Sequence, residues 1–275
     1  MPDLKDYLDQ GESPKGRFAV FGGVYNNYLS LEQTLRDARG RGVDHIYCLG
    51  DMGGFGPHPD RVFPLLREQA DLSVMQGNYD HSIGHRLDDC ACGYTDPRDN
   101  HFAQVSYDYT LSKTSPEHKD WLRDLPVGFR CLWGGQSVVM AHGSPRKVNE
   151  FLWESTCSDA FLKYLLDSFE ADLLMVTHTG IPWRRVLDDG RQVINVGAIG
   201  RPANDGRRDV DYMLVEVDEE RVEVQAVSVD YDHERLAREM EEEGLPEEFQ
   251  ETILSGWWTT CLEILPAKER SRGRY

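Results

Sequence analysis

Short apolar runs that stop at glycine alternate with helix-length stretches along the first part of this chain. Arg17 to Phe21 reads as a buried strand, followed by a glycine turn and a helix over Ser30 to Arg39 with Ser30 as its N-cap. The next apolar run, His45 to Leu49, ends at Gly50-Asp51, and Leu72 to Met75 ends just before Gly77-Asn78. Repetition of strand, polar loop and helix predicts an α/β arrangement, in which functional groups gather at the carboxyl ends of strands.

Periodicity is lost from Asp88 to Asn100, where the polar chain carries Cys, Gly and Pro, so this stretch reads as a long loop over the site. His101 to Thr110 and Pro116 to Leu125 are then helical in pattern. Short strand signals follow at Gly128 to Trp133, Ser137 to Ala141, Asp172 to Val176, Gln192 to Val196, Asp211 to Val217 and Val222 to Val229. Asp189-Gly190 between two runs is a hairpin signal. Helices are expected again over Asp232 to Glu243 and Pro246 to Leu254, before Gly256-Trp257-Trp258 and a basic tail from Lys268 to Arg274 that reads as a solvated end. The organisation expected is one domain over 1–275, with a core at 17–230 and a C-terminal helical extension and tail at 231–275.

Four segments carry the chemistry: Leu49-Gly50-Asp51, Gly77-Asn78-Tyr79-Asp80, Met140-Ala141-His142-Gly143 and Val176-Thr177-His178-Thr179-Gly180. Each sets a metal-binding side chain near glycine at a strand end. Asp51, Asn78, His142 and His178 together offer a carboxylate, an amide oxygen and two imidazoles, a mixed set that suits manganese, iron or zinc better than calcium. Any one of them alone would read as a turn residue or a satisfied histidine.

The wording of these segments resembles the calcineurin-like metallophosphoesterase superfamily, most of all its bacterial branch of small phosphoesterases and diadenosine-tetraphosphatase-like hydrolases. Gly50-Asp51-Met52-Gly53-Gly54-Phe55-Gly56-Pro57, the stretch Ser115 to Leu122, His142-Gly143-Ser144-Pro145-Arg146 and Asn195 to Pro202 match further phrases of that branch. The resemblance covers most of the chain. It implies a sandwich of two mixed β-sheets face to face with helices outside, and a pair of metal ions about 3.5–4 Å apart acting on phosphate esters.

Departures from the family pattern fall on one ion of that pair. Gly23 stands where the family places Asp, Tyr25 where it places His, and Gly180 where it places the last His. Asp51 bridges the two positions, so one full ligand set remains and one ion per chain is expected. Tyr25 reads as a space-filling aromatic, because a phenol of pKa near 10 is a reluctant ligand; Asn26 and Asn27 shape the turn. Tyr79 takes the place of the family's leaving-group acid, with His81 as a substitute. Arg146, Arg201 and Asn195 are the substrate-binding candidates, the arginines through bidentate hydrogen bonds to phosphate. Asp80 reads as a loop-orienting residue, and His58, Trp183, Trp257 and Trp258 as packing or rim residues. Cys90, Cys92 and Cys157, joined by Asp89 or His85, could rebuild a separate metal or redox site.

The formal charge of −18 argues against a duplex nucleic-acid partner, whose binding needs basic residues. No apolar stretch reaches the roughly 20 residues of a membrane span, and the start lacks a basic region followed by an apolar one, so a cytoplasmic location without a membrane partner is expected. Six scattered cysteines read as reduced. The leading expectation is a metal-dependent hydrolase of a small phosphomonoester or phosphodiester. The alternatives are an inactive homologue that binds a phosphorylated metabolite or a protein, and an enzyme built on the cysteines. Substrate, native metal and oligomeric state are not legible.

Overall fold

The structure is a computed structural model, and it describes residues 4–67, 69–219 and 221–271. In chain order the elements are β1 (Leu8–Ser13), β2 (Gly16–Phe21), α1 (Tyr28–Gly40), β3 (His45–Cys48), α2 (Phe63–Leu66), β4 (Leu72–Val74), α3 (Asn78–His85), α4 (Pro97–Lys113) and α5 (Pro116–Arg123). There follow β5 (Phe129–Trp133), β6 (Gln136–Met140), α6 (Asp159–Ser168), β7 (Leu173–Val176), β8 (Trp183–Val186), β9 (Gln192–Asn195), β10 (Val210–Asp218), β11 (Arg221–Val229), α7 (His233–Glu242), α8 (Glu247–Ser255) and α9 (Ala267–Arg270).

The strands make two mixed sheets, ordered β1-β5-β6-β7-β9-β8 and β11-β10-β2-β3-β4. They face each other across a layer that includes Phe18, Val20, Tyr47 and Leu49 from one sheet and Trp133, Met140, Met175 and Ile194 from the other. Phe18 stacks on Trp133 with ring centroids 4.7 Å apart. Burying a side chain of this size contributes about 1.5–3 kcal/mol. Helices cover the outer faces: α1, α7 and α8 with Leu31, Leu236 and Phe249 in one outer cluster, α6 with Leu162 and Leu165 in another. The expected sandwich of two mixed sheets flanked by helices is therefore present.

Strand direction places the site. β2, β3 and β4 run parallel, as do β6, β7 and β9. The loops after β3, β4, β6 and β7 therefore leave the sheets at their carboxyl ends, and these loops carry Asp51, Asn78, His142 and His178. Gly50 allows the first two to meet: its φ is +87°, and a Cβ there would lie 2.3 Å from the Gly77 amide nitrogen.

Several local expectations change. Helix α1 begins at Tyr28 and its N-cap is Asn27, whose side-chain oxygen accepts from the Ser30 N–H at 3.0 Å, so Ser30 lies inside the helix. The loop expected to last until Asn100 ends at Asp96, which caps α4 by accepting from Arg98 N at 2.8 Å, with Pro97 in the first turn. Polar β1, with the sequence LDQGES, pairs in parallel with β5 and shows no apolar alternation that would reveal it. The Asp189-Gly190 hairpin forms as expected, between β8 and β9. Of the basic tail, residues 272–275 lie outside the described residues. Lys268 is paired with Glu154, and Arg270 donates to the carbonyls of Leu262 and Glu263. Among the described residues no helix is long and apolar enough to cross a membrane.

Candidate metal centre

Four donor atoms converge on one point between the strand ends. His142 Nε2 lies 3.1 Å from Asn78 Oδ1, 3.2 Å from Asp51 Oδ2 and 3.3 Å from His178 Nδ1. All four residues are buried. His142 Nδ1 sits 2.7 Å from the Leu49 carbonyl, so its N–H donates there and Nε2 is left as a lone pair. Lone pairs from a carboxylate, an amide and imidazole then face one another, which is unfavourable unless a cation lies among them. Metal bonds of about 2.0–2.2 Å at tetrahedral to octahedral angles put neighbouring donors about 2.8–3.6 Å apart, and the three separations fall in that range. His178 Nε2 is buried without a hydrogen-bond partner. By geometry and donor chemistry these residues fit a divalent transition metal.

Electrostatics bind the group together. Burial pushes the Asp51 carboxyl up, but the neighbouring His142 and His178 outweigh it and hold it below the usual range. Burial pulls the His142 imidazole down, and Asp51 more than restores it. His178 is pushed down to about 3 by burial and by His142, which keeps its ring neutral and available as a ligand. Asp80 fastens the scaffold: its carboxylate accepts from the backbone N–H of Asp51 at 2.6 Å, Met52 at 3.0 Å and Gly77 at 2.8 Å. Its loop-orienting reading therefore matches its contacts. Burial and the Asp51 charge raise its pKa to about 7, against the pull of those amides.

Around Gly23, Tyr25 and Gly180 the structure places aromatic rings and a guanidinium. Tyr25 is buried with φ 50°, and burial keeps its phenol protonated. Arg201 is buried too, its guanidinium carbon 3.6 Å from the Trp258 ring centroid, 5.5 Å from Tyr25 and 5.8 Å from Phe55. A Cβ on Gly180 would come within 3.4 Å of Trp258 and 3.6 Å of Arg201 Nη2. Asp51, Asn78, His178, Tyr25, Tyr79, Tyr94 and Arg201 line one cavity, together with Phe249, Thr260 and Cys261 from the C-terminal segment. Its free volume, about 50 Å³, holds roughly three to five waters.

Other candidates lie elsewhere or are otherwise engaged. Arg146 is turned to Glu150, donating from Nε at 2.8 Å and pairing through Nη2, and lies over Phe161, so it does not line the cavity. His81 is exposed, 3.2 Å from Gln76 Oε1, and lines a second depression with Gln76, Ser144 and His142, outside the cavity that holds Arg201. Asn195 is fully buried with its amide consumed: Nδ2 donates to Thr177 O and Thr179 Oγ1, each at 2.9 Å, and Oδ1 accepts from Gly197 N. It braces the His178 loop rather than facing a ligand. Tyr79 does line the cavity, but its hydroxyl is held 3.3 Å from Ala103 O and from Ser106 Oγ, and burial drives its pKa upward.

The cysteines correct two expectations. Cys90 and Cys92 are joined in a disulfide with Cα atoms 5.2 Å apart, so this pair is not reduced and supplies no thiolate. Cys157 is a free thiol in a different apolar cluster, behind the β6–β7 sheet, and the three do not assemble. The disulfide loop serves the first site instead, as Asn78 Nδ2 donates to Cys90 O at 2.9 Å. His58 faces Glu239 and Glu243, and Trp183 donates to Leu152 O, as rim and packing residues. Tyr94, Cys261 and the stacking role of Trp258 were missed by sequence reasoning, since each sits far along the chain from the ligand segments.

The model of the calcineurin-like phosphoesterase superfamily domain matches residues 17–220. A metallophosphoesterase from Sphaerobacter thermophilus is 28% identical, with a TM-score of 0.67 over 88% of this chain and 99% of that one. An uncharacterized protein of Methanocaldococcus jannaschii is 28% identical over 257 residues, 88% of this chain and 99% of its own. A hypothetical protein from Pyrococcus horikoshii OT3, 22% identical with a TM-score of 0.74 over 88% of this chain and 99% of that one, shares the fold.

Proposed function

This chain belongs to the calcineurin-like phosphoesterase superfamily, and we propose that it hydrolyses a small phosphomonoester or phosphodiester at a centre with one principal ion on Asp51, Asn78, His142 and His178. The observation that carries this reading is the meeting of four buried donors around His142 Nε2 at separations of 3.1 to 3.3 Å. A divalent ion there supplies Lewis acidity and brings the pKa of a water toward neutrality.

The chain's own part is to hold the donors rigid and dry. Leu49 O fixes the His142 ring, Asp80 locks the Asp51 and Asn78 loops together, and Asn195 braces the His178 loop. Such preorganisation matters because donors that are already oriented need not reorganise as charge develops. With Arg146 paired to Glu150, Arg201 is the arginine left in the cavity to meet a phosphoryl group. Tyr79 is a weak proton donor at neutral pH, which favours esters whose leaving group departs without one.

A second reading, a binding protein that has lost catalysis, draws support from the lack of a side-chain donor at Gly23 and Gly180, the latter facing Trp258 and Arg201. Metal analysis together with a screen of aryl phosphates, nucleotides and phosphodiesters separates the two. Metal-dependent turnover of any of them, abolished in His178→Ala, supports the hydrolase. A single bound ion with no turnover across the screen refutes it in favour of the binder.

A further inference from the structure

Arg201 presents an unbalanced charge inside the molecule. Its side chain is 6% exposed, and its Nε has no hydrogen-bond partner. No Asp or Glu forms an ion pair with it among the described residues. Its neighbours are the rings of Trp258, Tyr25 and Phe55, and the Cys261 thiol lines the same cavity. The nearby phenols of Tyr25 and Tyr94 are kept protonated by burial, so they carry no compensating charge. The carboxylate on the same cavity wall, Asp51, belongs to the candidate metal centre.

A guanidinium taken out of water without an anion is costly, and stacking on aromatic rings recovers only part of that cost. A planar fork of donors in such a place matches the oxygens of a tetrahedral oxyanion. A cavity of about 50 Å³ lies beside it, lined also by Asp51, Asn78 and His178.

We infer that Arg201, caged by Trp258, Tyr25 and Phe55, is a resident cation that binds the phosphoryl oxyanion of the ligand on the flank of the centre where Gly23 and Gly180 supply no metal donor. This rests on the phosphoester reading of the same site, yet it assigns the anion's affinity to a side chain and not to an ion. Phosphate therefore binds without metal. It also binds singly charged and doubly charged phosphoryl groups in preference to neutral triesters, because only an oxyanion balances the guanidinium charge.

Calorimetric titration of the purified protein with inorganic phosphate, before and after removal of metal with a chelator, tests the inference. The chelated wild type retains phosphate binding, and Arg201→Gln weakens it by at least about tenfold in both states, which corresponds to ~1.4 kcal/mol. Arg201→Lys keeps the charge over Trp258 but loses the fork, and it falls between the two. If Arg201→Gln fails to fold, the lysine variant carries the test, with a loss of about threefold or more expected. Phosphate binding that vanishes on chelation, or that is unchanged in the folded arginine variants, overturns the inference and leaves Arg201 as an anchor for the C-terminal segment. Retained phosphate binding with no ester hydrolysed would instead count against the hydrolase reading alone.

Discussion

Replacing Asp80 tests whether the two halves of the ligand set are held by one carboxylate. Asp80 is fully buried and accepts three backbone N–H groups, from Asp51, Met52 and Gly77, at 2.6, 3.0 and 2.8 Å. Asp80→Ala would orphan three buried donors, each worth about 1–3 kcal/mol, while relieving the cost of a buried charge beside Asp51. The balance should be a loss of about 4 kcal/mol. At roughly 2–4 °C per kcal/mol for a chain of this size, the melting temperature falls by about 8–16 °C. Asp80→Asn keeps one acceptor and removes the repulsion with Asp51, so it should lose about half as much. Both variants should also release the ion more readily, since the Asp51 and Asn78 loops lose their common clamp. Denaturant titration and metal analysis of dialysed protein measure the two effects. An alanine variant within about 1 kcal/mol of wild type, with full metal content, would refute the clamp.

Further outcomes follow from other contacts. His178→Ala should leave a folded protein that no longer retains about one ion per chain, because the ligand loops lie outside the sandwich core; unchanged metal content by mass spectrometry would remove His178 from the ligand set. The triple variant Gly23→Asp, Tyr25→His, Gly180→His should take up no second ion while Arg201 is present. A Cβ at Gly23 would sit 2.7 Å from the Ala198 Cβ at φ +55°, and overpacking costs about 1–3 kcal/mol, so a fall in melting temperature should accompany it; a second ion at full stability would contradict this. Glu239 ties α7 to the body through Tyr28 at 2.8 Å and Arg61 at 3.4 Å, and pairs within α7 with Arg235 at 2.9 Å. Burial raises its pKa, but those hydrogen bonds and Arg61 lower it further than burial raises it, to a net value below 4.5. A depressed carboxyl contributes stability above its unfolded pKa and loses it as pH falls through the folded one. Denaturation midpoints should therefore decline with acid below about pH 4.5, less steeply in Glu239→Gln.

Much of the centre was legible because it is written locally. Asp51, Asn78, His142 and His178 each stand directly after a β-strand's apolar run, and parallel pairing of β2, β3 and β4, and of β6, β7 and β9, brings such positions to one side whatever the details of packing. The sequence by itself determined which residues are candidate donors, which positions, Gly23, Tyr25 and Gly180, depart from the family pattern, and the sandwich that the resemblance implies. It did not reveal how competing partners are shared out. Arg146 and Arg201 look alike in their short phrases, yet one finds Glu150 four residues on while the other finds Trp258 fifty-seven positions away. Asn195 reads as a ligand-facing amide until the Thr177, Thr179 and Gly197 backbone and hydroxyl groups are seen to use all of it. Polar β1 and the Cys90–Cys92 bridge likewise depend on which neighbours the fold supplies. Only the tertiary structure decided these, because a polar side chain's role is set by the unpaired groups within about 3 Å of it, and those come from distant parts of the chain.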